Sequence, residues 1–161
     1  MKQVAVIGAG DCSDEEYRAA ERVGGLLADN HVILCSGGLG GVMEASAKGA
    51  NAKGGTTVGI IPGISGENSY CGIILRTRMG HARNILLVQS ADAVIAIGGS
   101  YGTLSEISAA LKMGKPVFGY RTWKIPGIVV CETPDEAAIR AIGACDPSRT
   151  YHTRQDGQAS R

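Results

Sequence analysis

Three apolar runs, each closed by a cluster of glycines, most constrain what this chain can fold into. Residues 3–7, 31–35 and 92–97 have the length and β-branched content of buried strands. Gly8-Ala9-Gly10, Ser36-Gly37-Gly38-Leu39-Gly40-Gly41 and Gly98-Gly99-Ser100-Tyr101-Gly102 follow them directly. Behind each turn the apolar spacing changes from strand-like to helical. Tyr17, Ala20, Val23 and Leu27 form one stripe, residues 42–51 a second helix, and Ile107, Ala110 and Leu111 a third that stops at Gly114. Ser13 and Glu16 have the spacing of a capping box at the start of the first helix.

The rest of the chain repeats the alternation. Strands are expected at 56–61, 115–120 and 127–131, a weak one at 72–75, and a helix at 82–91. Thr133 caps a last helix, with Pro134 at its first position, that runs to about Cys145. Strands too apolar to face water on either side, separated by helices, imply an α/β, doubly wound parallel sheet with helices on both faces. Its length makes it a single domain, expected over 1–145. Residues 146–161 are polar and aperiodic and are expected to be a disordered tail. Ligands of such sheets sit beyond the carboxyl ends of the strands near the switch point, where all three glycine turns would lie.

The bulk properties exclude several classes. A net charge of +1 gives no reason to expect a nucleic acid polymer or an anionic membrane as partner. No apolar run is long enough to span a membrane, and strand-like sequence begins at Gln3, so the chain is expected to be cytoplasmic. Five cysteines, odd in number and without a C-x-x-C, fit reduced thiols; with His31, His81 and His152 also scattered, no metal site is expected.

The glycine turns differ as anion sites. Asp11, Asp14, Glu15 and Glu16 crowd the helix after the first turn, each favouring that helix end by about 0.3–1 kcal/mol and together repelling a phosphate. The second turn, with Gly37, Gly38, Gly40 and Gly41, has no acid before Glu44. The third, from Gly98 and Gly99 through Ser100, Tyr101 and Gly102 to Thr103, adds two hydroxyls to the backbone donors. Charge-assisted hydrogen bonds of this kind contribute about 1.5–3 kcal/mol each. Glu106 is expected in the first turn of the helix that follows, either as a catalytic acid or as a solvated dipole partner. Arg83 opens the preceding helix, an unfavourable place for a cation, which implies a partner: Glu106 or a ligand phosphate. Arg76 and Arg78 lie in the loosely patterned stretch 62–80, as a lid over an anion or as solvated loop charges.

Gly99-x-Tyr101-Gly102-Thr103-x-x-Glu106, with Arg83 and Ala91-Asp92-Ala93 upstream, resembles the LOG family, once described as lysine decarboxylases. Gly37-Gly38-x-Gly40-x-x-Met43 resembles that family's other glycine motif, and the likeness runs from about Lys2 to Ala144. The resemblance implies a Rossmann-like fold, a homodimer or higher homo-oligomer, and hydrolysis of the N-glycosidic bond of a nucleoside 5′-monophosphate. Glu106 and Arg83 match the catalytic glutamate and arginine, and Gly99, Gly102 and Thr103 match phosphate-loop positions. The chain departs from the motif in having Gly98-Gly99-Ser100 for Pro-Gly-Gly and Arg83-Asn84 for Arg-Lys. Ala82-Arg83-Asn84 and Gly59-Ile60-Ile61-Pro62 look more like the branch that includes molybdenum cofactor carrier proteins. That branch implies a small phosphorylated heterocycle held without hydrolysis. Neither reading requires a separate cofactor; the bound group would itself be a nucleotide or molybdenum cofactor.

Overall fold

A computed structural model describes residues 1–145, so the tail expected over 146–161 lies outside the described residues. Seven strands alternate with five helices. In chain order they are β1 (Gln3–Gly8), α1 (Asp14–Asp29), β2 (Ile33–Ser36), α2 (Val42–Asn51), β3 (Thr57–Ile61) and β4 (Ile73–Arg76). A 3-10 turn over Gly80–Ala82 leads into α3 (Arg83–Ser90), then β5 (Ala93–Ile97), α4 (Tyr101–Lys112), β6 (Val117–Tyr120), β7 (Ile128–Val130) and α5 (Pro134–Ala144). Every pairing is parallel and the strand order is β4-β3-β2-β1-β5-β6-β7. The order reverses between β1 and β5, so the expected doubly wound sheet is the observed one.

Strand periodicity divides the core. Val4, Val6, Leu34, Ala93 and Ile95 point to the side covered by α1, α2 and α5. Ala5, Ile7, Cys35, Val94 and Ala96 point to the side covered by α3 and α4. With both faces covered, β1 and β5 can be apolar at nearly every position, as they are. On the first side α1 and α2 cross at backbone contact. A methyl group on Gly24 would lie 1.9 Å from Ser46 O, and one on Gly49 would lie 1.9 Å from Glu21 O. Only glycine fits at either position.

Two boundaries differ from the sequence expectation for local reasons. His31 is not in β2: its backbone is left-handed (φ +56), and it turns the chain out of α1 before the strand starts at Ile33. Helix α4 starts at Tyr101, six residues before its first core-facing aliphatic, Ile107, so apolar spacing alone places its origin too late. No helix among the described residues is long and apolar enough to cross a membrane. All five cysteines are free thiols.

Candidate functional site

β2, β1 and β5 are neighbours in the sheet, so their carboxyl ends, and the three glycine turns, open onto one crevice. The helices behind the turns are finished differently. α1 satisfies its own first turn: Ser13 Oγ accepts from Glu16 N at 3.2 Å, and Glu16 Oε2 accepts from Ser13 N at 2.8 Å. This is the expected capping box. Thr133 Oγ1 caps α5 in the same way, accepting from Glu136 N at 3.1 Å. The N-cap residues of α2 and α4 are Gly41 and Ser100, and neither helix has a side-chain cap. Helix α3 also lacks a side-chain cap. The first amide of α2, Val42 N, already donates to Ala9 O at 3.1 Å, so α2 can offer a ligand only amides beyond Val42. The first turn of α4 is uncapped behind the third turn.

The second turn is built around a buried arginine. Arg83 is the first residue of α3 and only 7% exposed, and its guanidinium lies on the bare backbone of Gly37. A methyl group on Gly37 would sit 2.2 Å from Nη1, 2.6 Å from Nη2 and 2.6 Å from the Met43 sulfur. Nε and Nη1 of Arg83 are buried and have no hydrogen-bond partner. An unpaired buried donor costs about 1–3 kcal/mol, more when it is charged, a cost that an oxyanion beside these atoms would relieve. Gly38 is buried, while Gly40 and Gly41 are half-buried at the mouth of α2. The loop between β3 and β4 is clasped onto this turn by Asn68, whose backbone N donates to Gly38 O at 2.8 Å and whose Nδ2 donates to Leu39 O at 2.9 Å.

Glu106 stands opposite Arg83 in charge. Because α4 begins at Tyr101, Glu106 is in the second turn of the helix and not the first, and it faces the interior, 7% exposed. It is not a solvated dipole partner. Burial pushes its carboxyl up to about 7, and the Arg83 charge opposes that rise. Burial likewise holds the Arg83 guanidinium below its usual range, with Glu106 pulling it back. A carboxyl poised near neutrality can accept or donate a proton or a hydrogen bond at physiological pH.

The third turn is held from two sides. Gly98 and Gly99 have φ of +52° and +102°, and Thr103 is buried against Gly99. From behind, Gly98 N donates to Tyr120 O at 3.1 Å, Thr122 Oγ1 to Gly98 O at 2.5 Å, and Trp123 Nε1 to Ser100 O at 3.1 Å. From the α1 side, a methyl group on Gly98 would lie 1.9 Å from Glu16 Oε1. The replacement of the motif's proline therefore has a local cause: φ +52° is outside proline's range, and a carboxylate fills the space. Ser100, Tyr101 and Gly102 are exposed at the rim.

Of the sequence-derived candidates, the structure gathers Arg83, Glu106 and the second and third glycine turns. Arg76 is engaged within its own loop, donating from Nε to Ile64 O at 3.0 Å and from Nη2 to Glu67 at 2.6 Å. Arg78 is exposed, with a left-handed backbone. Sequence reasoning missed Asn68, Thr122, Trp123 and the reach of Glu16, all of which act through contacts distant in sequence. Trp123, the only tryptophan in the chain, was the one composition-level signal available.

The parallel sheet, its switch point and the glycine turns there define a single-domain, Rossmann-like α/β protein. More particularly, the chain belongs to the SLOG cluster4 family, whose model matches residues 1–148. An uncharacterized protein of Archaeoglobus fulgidus is 52% identical over 146 residues, 89% of this chain and 97% of that one. Among solved structures, the molybdenum cofactor binding protein of Rippkaea orientalis is 30% identical with a TM-score of 0.83, covering 89% of this chain and 96% of that one. The molybdenum cofactor carrier protein of Chlamydomonas reinhardtii is 28% identical with a TM-score of 0.83, over 89% and 97% of the two chains.

Proposed function

We propose that this chain binds a phosphorylated heterocycle at the crevice above β2, β1 and β5 and holds it without cleaving it, molybdenum cofactor being the ligand to which its structural relatives point. The observation that carries this reading is Arg83, a buried cation with two unpartnered N–H groups lying on Gly37 beside uncapped helix amides. A phosphate supplies the oxygens this arrangement lacks, and Thr103, Ser100 and the Gly98–Gly102 backbone add donors on the other side of the crevice. The similarity to molybdenum cofactor binding and carrier proteins supports a carrier over an enzyme. Native mass spectrometry of protein purified without air, together with thermal shift against phosphorylated pterins, tests it. A co-purifying pterin phosphate lost in Arg83→Ala is the expected result; no stabilisation by any phosphorylated pterin or nucleotide overturns it.

One observation favours a second reading, the phosphoribohydrolase activity that the likeness to the LOG family implies. Glu106 is buried beside the Arg83 charge with its carboxyl near neutrality. In its ionised form it could stabilise positive charge developing on a ribose and orient the attacking water. Release of free base from a nucleoside 5′-monophosphate, abolished in Glu106→Ala while ligand binding persists, would establish this reading. An absence of release across the common nucleotides refutes it. In either case the family likeness favours a homodimer or higher homo-oligomer, which sedimentation velocity measures directly.

A further inference from the structure

We propose that Tyr101 and Trp123 form a stacking platform for the planar ring of the ligand, an inference that rests on the phosphorylated-heterocycle reading above. Tyr101 is the first residue of α4 and 81% exposed, far more open than an aromatic side chain at a helix start needs to be. Side chains on a helix lean toward its N-terminus, so a long side chain at the first position projects past the helix end, beside whatever the uncapped amides hold. The ring is nevertheless not loose. It lies 5.9 Å from the Trp123 ring, tilted by 36°. Trp123 is itself fixed: Nε1 donates to Ser100 O, the N-cap carbonyl of α4, at 3.1 Å, and the ring packs against the α3/α4 side of the core. Thr122 ties the same loop to Gly98 O.

The consequence is an exposed aromatic ring at the rim of the third turn, in tilted contact with the anchored Trp123 ring. Preorganisation of this kind lowers the entropic cost of capturing a flat ring. A sugar phosphate or inorganic phosphate has nothing to place on it, whereas a pterin or purine carries its π-face a few bonds from the phosphate. Stacking on an aromatic side chain tolerates many rings, so the platform distinguishes phosphorylated heterocycles as a class from other phosphates and does not choose among them.

Inorganic phosphate, ribose 5-phosphate, guanosine 5′-monophosphate and a pterin monophosphate are titrated into the full chain and into Tyr101→Ala and Tyr101→Phe. Binding is followed by calorimetry and by the emission of Trp123, the sole tryptophan. At least one heterocycle should bind more tightly than ribose 5-phosphate and quench Trp123. Tyr101→Ala should weaken that heterocycle roughly 5- to 150-fold. Ribose 5-phosphate should be unaffected by the same change, and Tyr101→Phe should retain the native preference. Tyr101 is exposed, so its loss leaves the core intact. If both heterocycles bind no better than ribose 5-phosphate, or bind without changing Trp123 emission, the platform is refuted and the anion site stands. If Tyr101→Ala alters subunit association but not the preference for heterocycles, the ring belongs to an interface and the inference also fails. If none of the four compounds binds, the proposed function itself falls.

Discussion

Glu106→Gln isolates the electrostatic cost stored at the site. In the unfolded chain this carboxyl titrates near its ordinary 4.5, while in the folded protein burial raises it to about 7. Below pH 4.5 both states carry the proton and the group contributes no difference. As pH rises, the unfolded chain ionises first, so unfolding gains ground until the folded carboxyl also ionises near pH 7; above that the loss is constant. At about 1.4 kcal/mol per pKa unit, the rise amounts to roughly 3 kcal/mol of stability lost between pH 4.5 and about 8. Glutamine keeps the shape and cannot ionise, so the variant should lack this component. Urea unfolding of both proteins at pH 5, 6, 7 and 8 measures it. Titration of every other group is shared, so the difference between the two curves reports Glu106. The native protein should lose up to about 3 kcal/mol relative to the variant as the pH rises from 5 to 8. Parallel curves would show that Glu106 is hydrated in solution and would refute the buried carboxyl.

Two further substitutions test the scaffold and the anion cradle separately. Gly37→Ala puts a methyl group where the Arg83 guanidinium and the Met43 sulfur now lie. Both are ends of flexible side chains, so stability should fall by no more than about 1–3 kcal/mol, while affinity for phosphate compounds drops by at least tenfold in calorimetry. Gly24→Ala places a methyl group 1.9 Å from Ser46 O, a backbone atom, in the α1–α2 crossing. Two helices must separate to admit it, so the midpoint of thermal unfolding should fall by several degrees, with ligand preference in the surviving folded protein unchanged.

The alternation of strands and helices was legible because each apolar run has a single period and ends on glycine. The doubly wound sheet followed from runs that could not face water. The depth of Glu106 was not legible. Tyr101, Gly102 and Thr103 carry no apolar stripe, so the spacing puts the helix origin too late and Glu106 in the first turn, where a solvated dipole partner and a catalytic acid both stay open. Arg83 was the better clue, because a cation at a helix start opposes the dipole and needs another reason to be there. That reason is tertiary: the bare backbone of Gly37, reached from a residue 46 positions later in the chain. Of the two readings left open for Arg76, lid or loop charge, the contacts within its own loop favour the second, since Glu67 and the Ile64 carbonyl occupy its donors.

Glu16 shows how the same fold reassigns a charge. In the sequence its carboxylate belongs to the first turn, where it closes the capping box of α1 and would repel a phosphate from that helix alone. In the structure the side chain also reaches Gly98, and so stands at the third turn, on the edge of the site proposed for the anion. The fold thus confronts an anion with a buried cation at Arg83 and an acid at Glu16. Replacing Glu16 with glutamine keeps the capping geometry, because glutamine serves equally at that position of the box, and removes only the charge. The side chain is half-buried, and like charges at a partly wet rim repel by about 1 kcal/mol or somewhat more. Glu16→Gln should therefore bind ribose 5-phosphate and inorganic phosphate roughly three- to tenfold more tightly at low salt, with the gain shrinking as ionic strength rises. Loss of the charge from the first turn of α1 should cost no more than about 0.3–1 kcal/mol, so unfolding midpoints should fall only slightly. Equal affinity in variant and native protein at low salt would mean that the anion lies out of reach of Gly98. The phosphate would then belong to the second turn and Arg83 alone.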